Sequence, residues 1–122
     1  MLSSVNINNS PNLTELYLTN SRLTYIDVSK NTELKILALN NNQLMSLDFS
    51  NNIKIENVWL SNNGLSSLAL DNLFQSLPNV LPIDPHRRHN IIINRNSGAA
   101  DSDFNIAEEK GWIVHVSGAL NK

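Results

Sequence analysis

The 122-residue chain contains no cysteine, so neither disulfides nor thiolate metal sites can hold it together, and the redox compartment is left open. It also lacks any apolar run of bilayer length, which gives no reason to expect membrane insertion. The opening residues Met1-Leu2-Ser3-Ser4-Val5-Asn6 have neither the charged nor the apolar region of an export signal. Charge is sparse and nearly balanced. A formal net charge of −2 and a pI near 5.8 give no electrostatic reason to expect nucleic acid or an anionic membrane as partner. No G-x-S-x-G, H-E-x-x-H or phosphate-loop motif is present, and the three histidines, His86, His89 and His115, all fall late in the chain. Glu15 and Glu56 are placed on separate strands of a shallow surface with no pocket to perturb them. Neither catalysis nor a cofactor is expected.

Apolar residues are present at 41%, enough for one domain with a continuous core. They are arranged with a period. Leu13, Leu34 and Ile55 stand 21 positions apart, and the same interval relates Leu16, Leu37 and Val58, then Leu18, Leu39 and Leu60, then Leu23, Leu44 and Leu65. Within each unit the spelling is L-x-x-L-x-L-x-x-N-x-L, most fully in Leu34-Lys35-Ile36-Leu37-Ala38-Leu39-Asn40-Asn41-Asn42-Gln43-Leu44. That spelling and period mark a leucine-rich repeat. The L-x-L pairs put two side chains on the inner face of a short strand and aim the residue between them outward. Stacked units would form a parallel sheet, each repeat supplying the crossover that parallel strands require. The second halves, Leu23 to Val28, Leu44 to Phe49 and Leu65 to Leu70, alternate and are rich in Thr, Ser, Asn and Asp, so extended or turn-like returns are expected. Asn42 and Asn63 are assigned to the sharp turn after the strand, satisfying buried backbone groups, with Ser21 as a weaker counterpart in the first unit.

The 21-residue units resemble those of bacterial surface and secreted leucine-rich-repeat proteins, internalin-like in the broad sense. The resemblance covers about residues 2 to 70 directly. It implies an α/β fold: a right-handed solenoid with a parallel sheet on its concave face, extended returns on its convex face and short C-terminal helices. It also implies an extracellular or cell-surface setting.

Residues 1–70 are read as the repeats, 71–116 as a further repeat and cap of the same domain, and 117–122 as a tail. Leu70, Leu73, Phe74 and Leu77 have helical spacing, with Asp71 and Asn72 suited to the start and Pro78 to the stop, so a short helix is expected over about 70 to 77. After a loop holding Pro82 and Pro85, Ile91-Ile92-Ile93-Asn94-Arg95-Asn96 resumes the pattern, Asn96 standing 33 positions after Asn63 and so following a 12-residue insertion. Asp101 or Asp103 would cap a helix running to Lys110, with Gly111 as its stop, and Trp112 to Val116 would form a last strand. The ending helix-Lys110-Gly111-Trp112 and the turn Ser97-Gly98-Ala99-Ala100-Asp101 resemble the C-terminal caps of related bacterial repeat proteins.

Counting back 21 positions from Leu23, Ile26 and Val28 reaches Leu2, Val5 and Ile7, so the chain opens midway through a unit. This suggests a piece of a longer protein, and an uncovered first layer through which copies could self-associate.

Outward-facing strand residues are the candidate ligand-binding surface. Tyr17, Ala38, Trp59 and Ile92 form the middle row, Glu15, Ile36, Asn57 and Asn90 one flank, and Thr19, Asn40, Ser61 and Asn94 the other. Exposed Tyr and Trp on a rigid sheet are the residue types most enriched as interface anchors. The cluster His86-Arg87-Arg88-His89 could attract an acidic partner, but no further ligand at suitable spacing completes a metal site. Asp101-Ser102-Asp103 lacks the glycine and terminal glutamate of a calcium loop and suits helix capping instead. Glu108-Glu109-Lys110 reads as a solvated helix face. The function expected is a non-catalytic interaction module recognising a protein or glycan through the concave face, as in adhesion or host recognition. The alternatives are a structural spacer or cap of a larger surface protein, and an intracellular effector scaffold.

Overall fold

The computed structural model describes residues 2–116. The expected tail at 117–122 lies outside the described residues.

Among the described residues the fold is α/β and is built on a single parallel sheet of five strands, β1 (Glu15–Tyr17), β2 (Ile36–Ala38), β3 (Asn57–Trp59), β4 (Asn90–Ile92) and β5 (Ile113–His115), in the spatial order of the sequence. Registers follow the 21-residue interval across the first three strands: Leu16 pairs with Leu37 and Leu37 with Val58. Val58 then pairs with Ile91, so the insertion is accommodated between β3 and β4 without shifting the register. The strands are three residues long, yet the backbone ladder continues past them. Leu18 donates to the Ala38 carbonyl (2.9 Å), Leu39 to Trp59 (2.8 Å) and Leu60 to Ile92 (2.8 Å).

The inner side chains share one core. Leu37, Leu39, Val58, Leu60, Ile91 and Ile93 have no exposed surface, and neither do Leu23, Leu34, Leu44, Ile55 and Leu65 on the other walls. Each contributes about 1.5–3 kcal/mol by leaving water. Leu13, Leu16 and Leu18 on the first strand layer are only partly covered.

The chain leaves each of the first four strands through a left-handed residue: asparagine after β1 to β3, where Asn20, Asn41 and Asn62 have φ of 58, 62 and 58°, and Arg95 after β4, with φ of 64°. Asparagine tolerates this region better than residues with bulkier side chains, because its short polar side chain bonds locally. Directly after it, Asn42, Asn63 and Asn96 bridge neighbouring units. The Asn42 Oδ1 accepts from Leu23 N–H, that of Asn63 from Leu44 and that of Asn96 from Leu65 (3.0, 3.0 and 3.1 Å). Among the described residues Ser21 supplies no such bridge, in keeping with the weaker role expected of it.

A second buried row was not legible. Asn31 and Asn52 are fully buried on the return side; the Asn31 Nδ2 donates to the carbonyls of Ile7 and Ser10, and that of Asn52 to Val28 and Asn31 (2.9–3.0 Å).

The helical segments differ from expectation. Helix α1 spans Ser67–Ser76 rather than about 70 to 77, because Ser66, not Asp71 or Asn72, is its N-cap: its Oγ accepts the Ala69 N–H at 3.1 Å. The stretch Leu65 to Leu70 therefore is not an extended return, and Leu68 points to solvent. The helix expected from Asp101 or Asp103 to Lys110 is broken into a 3-10 turn, Ala99–Asp101, and a four-residue helix α2, Asn105–Glu108. Neither has a side-chain cap. Instead Asp103 accepts from Asn105 N–H (3.1 Å) while its own N–H donates to Asp71 Oδ1 (2.7 Å), tying this loop to α1. Gly111 ends the segment with φ of +96°, the left-handed conformation that a helix stop favours. Phe74 of α1 meets Phe104 edge-on, and the buried Trp112 donates from Nε1 to the Pro78 carbonyl (2.9 Å).

Candidate functional site

The outer face of the sheet is set by strand parity and by register. Residues two apart on one strand share a face, and the Cα pairing aligns them into rows. The middle row runs Tyr17, Ala38, Trp59, Ile92 and His115; one flank runs Glu15, Ile36, Asn57, Asn90 and Ile113. The other flank, Thr19, Asn40, Ser61 and Asn94, lies just beyond the strands where the ladder continues. All twelve of the outward-facing residues expected from sequence thus stand in these rows, but they are not equally available. Tyr17 is 58% exposed and Trp59 and Ile92 are half-buried, whereas Ala38 is only 4% exposed and offers a floor rather than a contact. Ile113 and His115, both exposed, extend two rows onto β5. Sequence reasoning missed them by treating the last strand as a closing cap, although its alternation carried the signal.

Hydrogen bonds run along the flanks. Asn90 Nδ2 donates to Asn57 Oδ1 (3.2 Å), and His115 Nε2 lies 2.9 Å from Asn90 Oδ1. On the opposite side Asn40 Oδ1 accepts from the Ser61 N–H (2.8 Å), and Ser61 Oγ donates to Asn94 Oδ1 (2.6 Å). Beyond that flank the left-handed asparagines form an exposed amide chain, Asn62 donating to Asn41 (2.9 Å) and Asn41 to Asn20 (2.7 Å). The run Asn40-Asn41-Asn42 held the signal for this chain. Tyr17 donates its hydroxyl to Glu15 Oε1 (3.1 Å), and that hydrogen bond to a carboxylate raises the phenol above its ordinary value.

Two depressions lie elsewhere. A cleft of about 470 Å³ on the return side is lined by Tyr25, Asp27, Ser29, Ser46, Asp48 and Asn72 among others. Hydrogen bonds from the Ser29 side chain and N–H hold the Asp27 carboxyl there below its ordinary value. A smaller cleft of about 280 Å³ lies by the leading ends of the strands, between Lys35, Ile53, Lys54, Glu56, Arg87 and His89. The basic cluster is divided by this arrangement. The Arg87 guanidinium pairs with Glu56 (2.9 Å), and His89 packs edge-on against Trp112, while His86 and Arg88 remain exposed. Lys54 is engaged by Glu33 (2.7 Å). Burial lowers the His89 imidazole below its ordinary value, with Glu56 opposing and Arg87 reinforcing the shift.

Among the described residues, no group of three or more His, Asp or Glu side chains is placed to hold a metal ion, and no helix is long and apolar enough to cross a membrane. No protein-family model matches the chain, and no curated protein matches it significantly.

Proposed function

We propose that this chain is a right-handed leucine-rich-repeat solenoid, internalin-like in type, that acts as a non-catalytic recognition module at a bacterial cell surface or in secreted form. Its ligand is a protein or glycan held on the outer, concave face of the sheet. The repeat reading is supported by the coincidence of the 21-residue interval with strand register and with the asparagine bridges. The observation that carries the binding reading is the row of Tyr17 and Trp59, with one strand and the small Ala38 between them, on a face whose backbone is fixed by a continuous ladder. A rigid surface loses little freedom on binding, and large aromatics with few rotatable bonds concentrate contact energy.

The test is an array of extracellular proteins and glycans probed with the wild type and with the Tyr17→Ala, Trp59→Ala double variant. Binding that the double variant loses, with a thermal midpoint within a few degrees of wild type, is the expected result. Binding retained in full by the double variant, or no array component bound by the wild type, overturns the reading.

A further inference from the structure

The middle row alternates. In Cα register it reads Tyr17, Ala38, Trp59, Ile92, His115, so rings stand on β1, β3 and β5, with a small and an aliphatic side chain between them. Neighbouring strands lie about 4.8 Å apart, which places successive rings roughly 10 Å from one another. Among the described residues the paired aromatic rings are Phe74 with Phe104 and His89 with Trp112, so the ring faces of Tyr17 and Trp59 are not used up on each other.

The flanks add a second pattern. Asn40, Asn57 and Asn94 each engage the side-chain oxygen internally, with Ser61 N–H, Asn90 Nδ2 and Ser61 Oγ respectively. That fixes the orientation of each amide and leaves three NH₂ groups without a side-chain or backbone partner among the described residues. An NH₂ group is donor only, so these positions call for a ligand rich in acceptors. Charge is almost absent: Glu15 is the one acidic side chain in the three rows, no lysine or arginine stands in them, and the Tyr17 hydroxyl already occupies that carboxylate.

We propose, resting on the reading of this face as the binding site, that its ligand is an extended, neutral, β-linked glycan laid across the strands along the row Tyr17, Trp59, His115. A β-linked pyranose with equatorial substituents has C–H groups on its faces and oxygens around its rim. The C–H groups carry slight positive charge and stack on the negative face of an aromatic ring. The rim oxygens accept from the amide NH₂ groups on either side. In an extended β-1,4 chain each sugar is turned over relative to the last, so the same side recurs at every second sugar, matching rings on every second strand. An α-linked chain coils and cannot keep this registration. A protein partner would be better served by an apolar cluster or a charge pattern, whereas the apolar side chain between the two larger rings is already covered.

The experiment is calorimetric titration of the protein with cellohexaose and chitohexaose, with maltohexaose as the α-linked control and the corresponding β-linked disaccharides for length. One of the β-linked hexasaccharides is expected to bind at least about tenfold more tightly than its disaccharide and than maltohexaose, because only it spans several rings. Tyr17→Ala and Trp59→Ala should each weaken it by about tenfold, the scale of one lost stacking contact. Folded wild type that binds neither β-linked hexasaccharide, equal binding of maltohexaose, or affinity unchanged in both single variants overturns the proposal. If the oligosaccharides fail while an arrayed protein is bound through Tyr17 and Trp59, the glycan inference falls and the face remains the site. If the array is also silent, both fall together.

Discussion

The side-chain oxygen of Asn42 accepts the backbone N–H of Leu23 at 3.0 Å, while its Nδ2 donates to the carbonyls of Leu18 (2.8 Å) and Leu39 (3.0 Å). One buried amide therefore joins two successive units at the turn where neither can satisfy its own backbone. Asn42→Ala strands one N–H and two carbonyl contacts in a site that is 7% exposed, and should destabilise the protein by about 2–3 kcal/mol. Asn42→Asp should be at least as damaging near neutral pH, since a carboxylate cannot donate to the two carbonyls. Urea unfolding of both variants checks this; a loss below about 0.5 kcal/mol for the alanine variant would show that the bridge is dispensable.

The return side makes the same demand by a different residue. Asn52 is fully buried and donates to two carbonyls, whereas its neighbour Asn51 is exposed. Asn52→Ala should lower stability by about 1–3 kcal/mol and Asn51→Ala by less than about 0.5 kcal/mol. Similar unfolding midpoints for the two variants would contradict the buried row.

The contrast between these two rows shows what was legible. Asn42 and Asn63 stand 21 positions apart at one place in the recurring unit, just after the strand, so a shared structural task could be read from spacing. Asn31 and Asn52 stand among Ser, Lys and Asn, and nothing local distinguishes a buried amide from a solvated one; only the stacking of the next unit decides. The strands and their register were legible because the 21-residue interval recurs with the same residue pairing from β1 to β3. Helix α1 was misplaced because Leu68-x-Leu70 has the spacing of an alternating strand, and the Ser66 cap settles the segment as helix. Of the candidate site, parity gave the rows but not their depth. Ala38 is covered by what surrounds it, a property its own position does not carry.

Gly98 is fixed by contact. A Cβ built there would lie 1.9 Å from the Ser67 nitrogen and 2.1 Å from the Ser66 carbonyl carbon, so the chain after Asn96 runs directly against the start of α1. Both obstacles are backbone and cannot swing away. Gly98→Ala should force the cap off α1 and cost more than about 2 kcal/mol, in the range of overpacked cores. Amide exchange should be faster at Ala69 and Leu70, whose N–H groups bond to the Ser66 hydroxyl and carbonyl; wild-type protection there would contradict the close approach.

Lys110 closes the other end of the same helix. Its Nζ donates to the carbonyls of Phe74 (3.2 Å), Gln75 and Leu77 (2.8 Å), where the last turn leaves acceptors unpaired and the helix dipole is negative. It is therefore not merely part of a solvated helix face with Glu108 and Glu109. Lys110→Met retains much of the apolar stem and removes the charge, and should destabilise by about 1–2 kcal/mol. Glu109→Gln, on an exposed neighbour, is the control and should leave the thermal midpoint nearly unchanged.

His89 gives the fold a dependence on pH. Its imidazole is held below the ordinary value of 6.5, first by burial and then by the balance of Glu56, which raises it, against Arg87, which lowers it. The folded protein therefore binds the proton less readily than the unfolded chain does. This contribution to stability is complete above about pH 6.5 and is lost as pH falls from there through the lower folded value. Urea midpoints at about pH 7.5 and about pH 5.5 should differ, with less stability at the lower pH, and His89→Gln should reduce that difference. Glu56→Gln removes the group that favours the charged ring and breaks the pair with Arg87, so it should depress the imidazole further. An NMR titration of the His89 ring follows this directly, and a ring that titrates at or above pH 6.5 in the folded protein would reverse the sign of the argument.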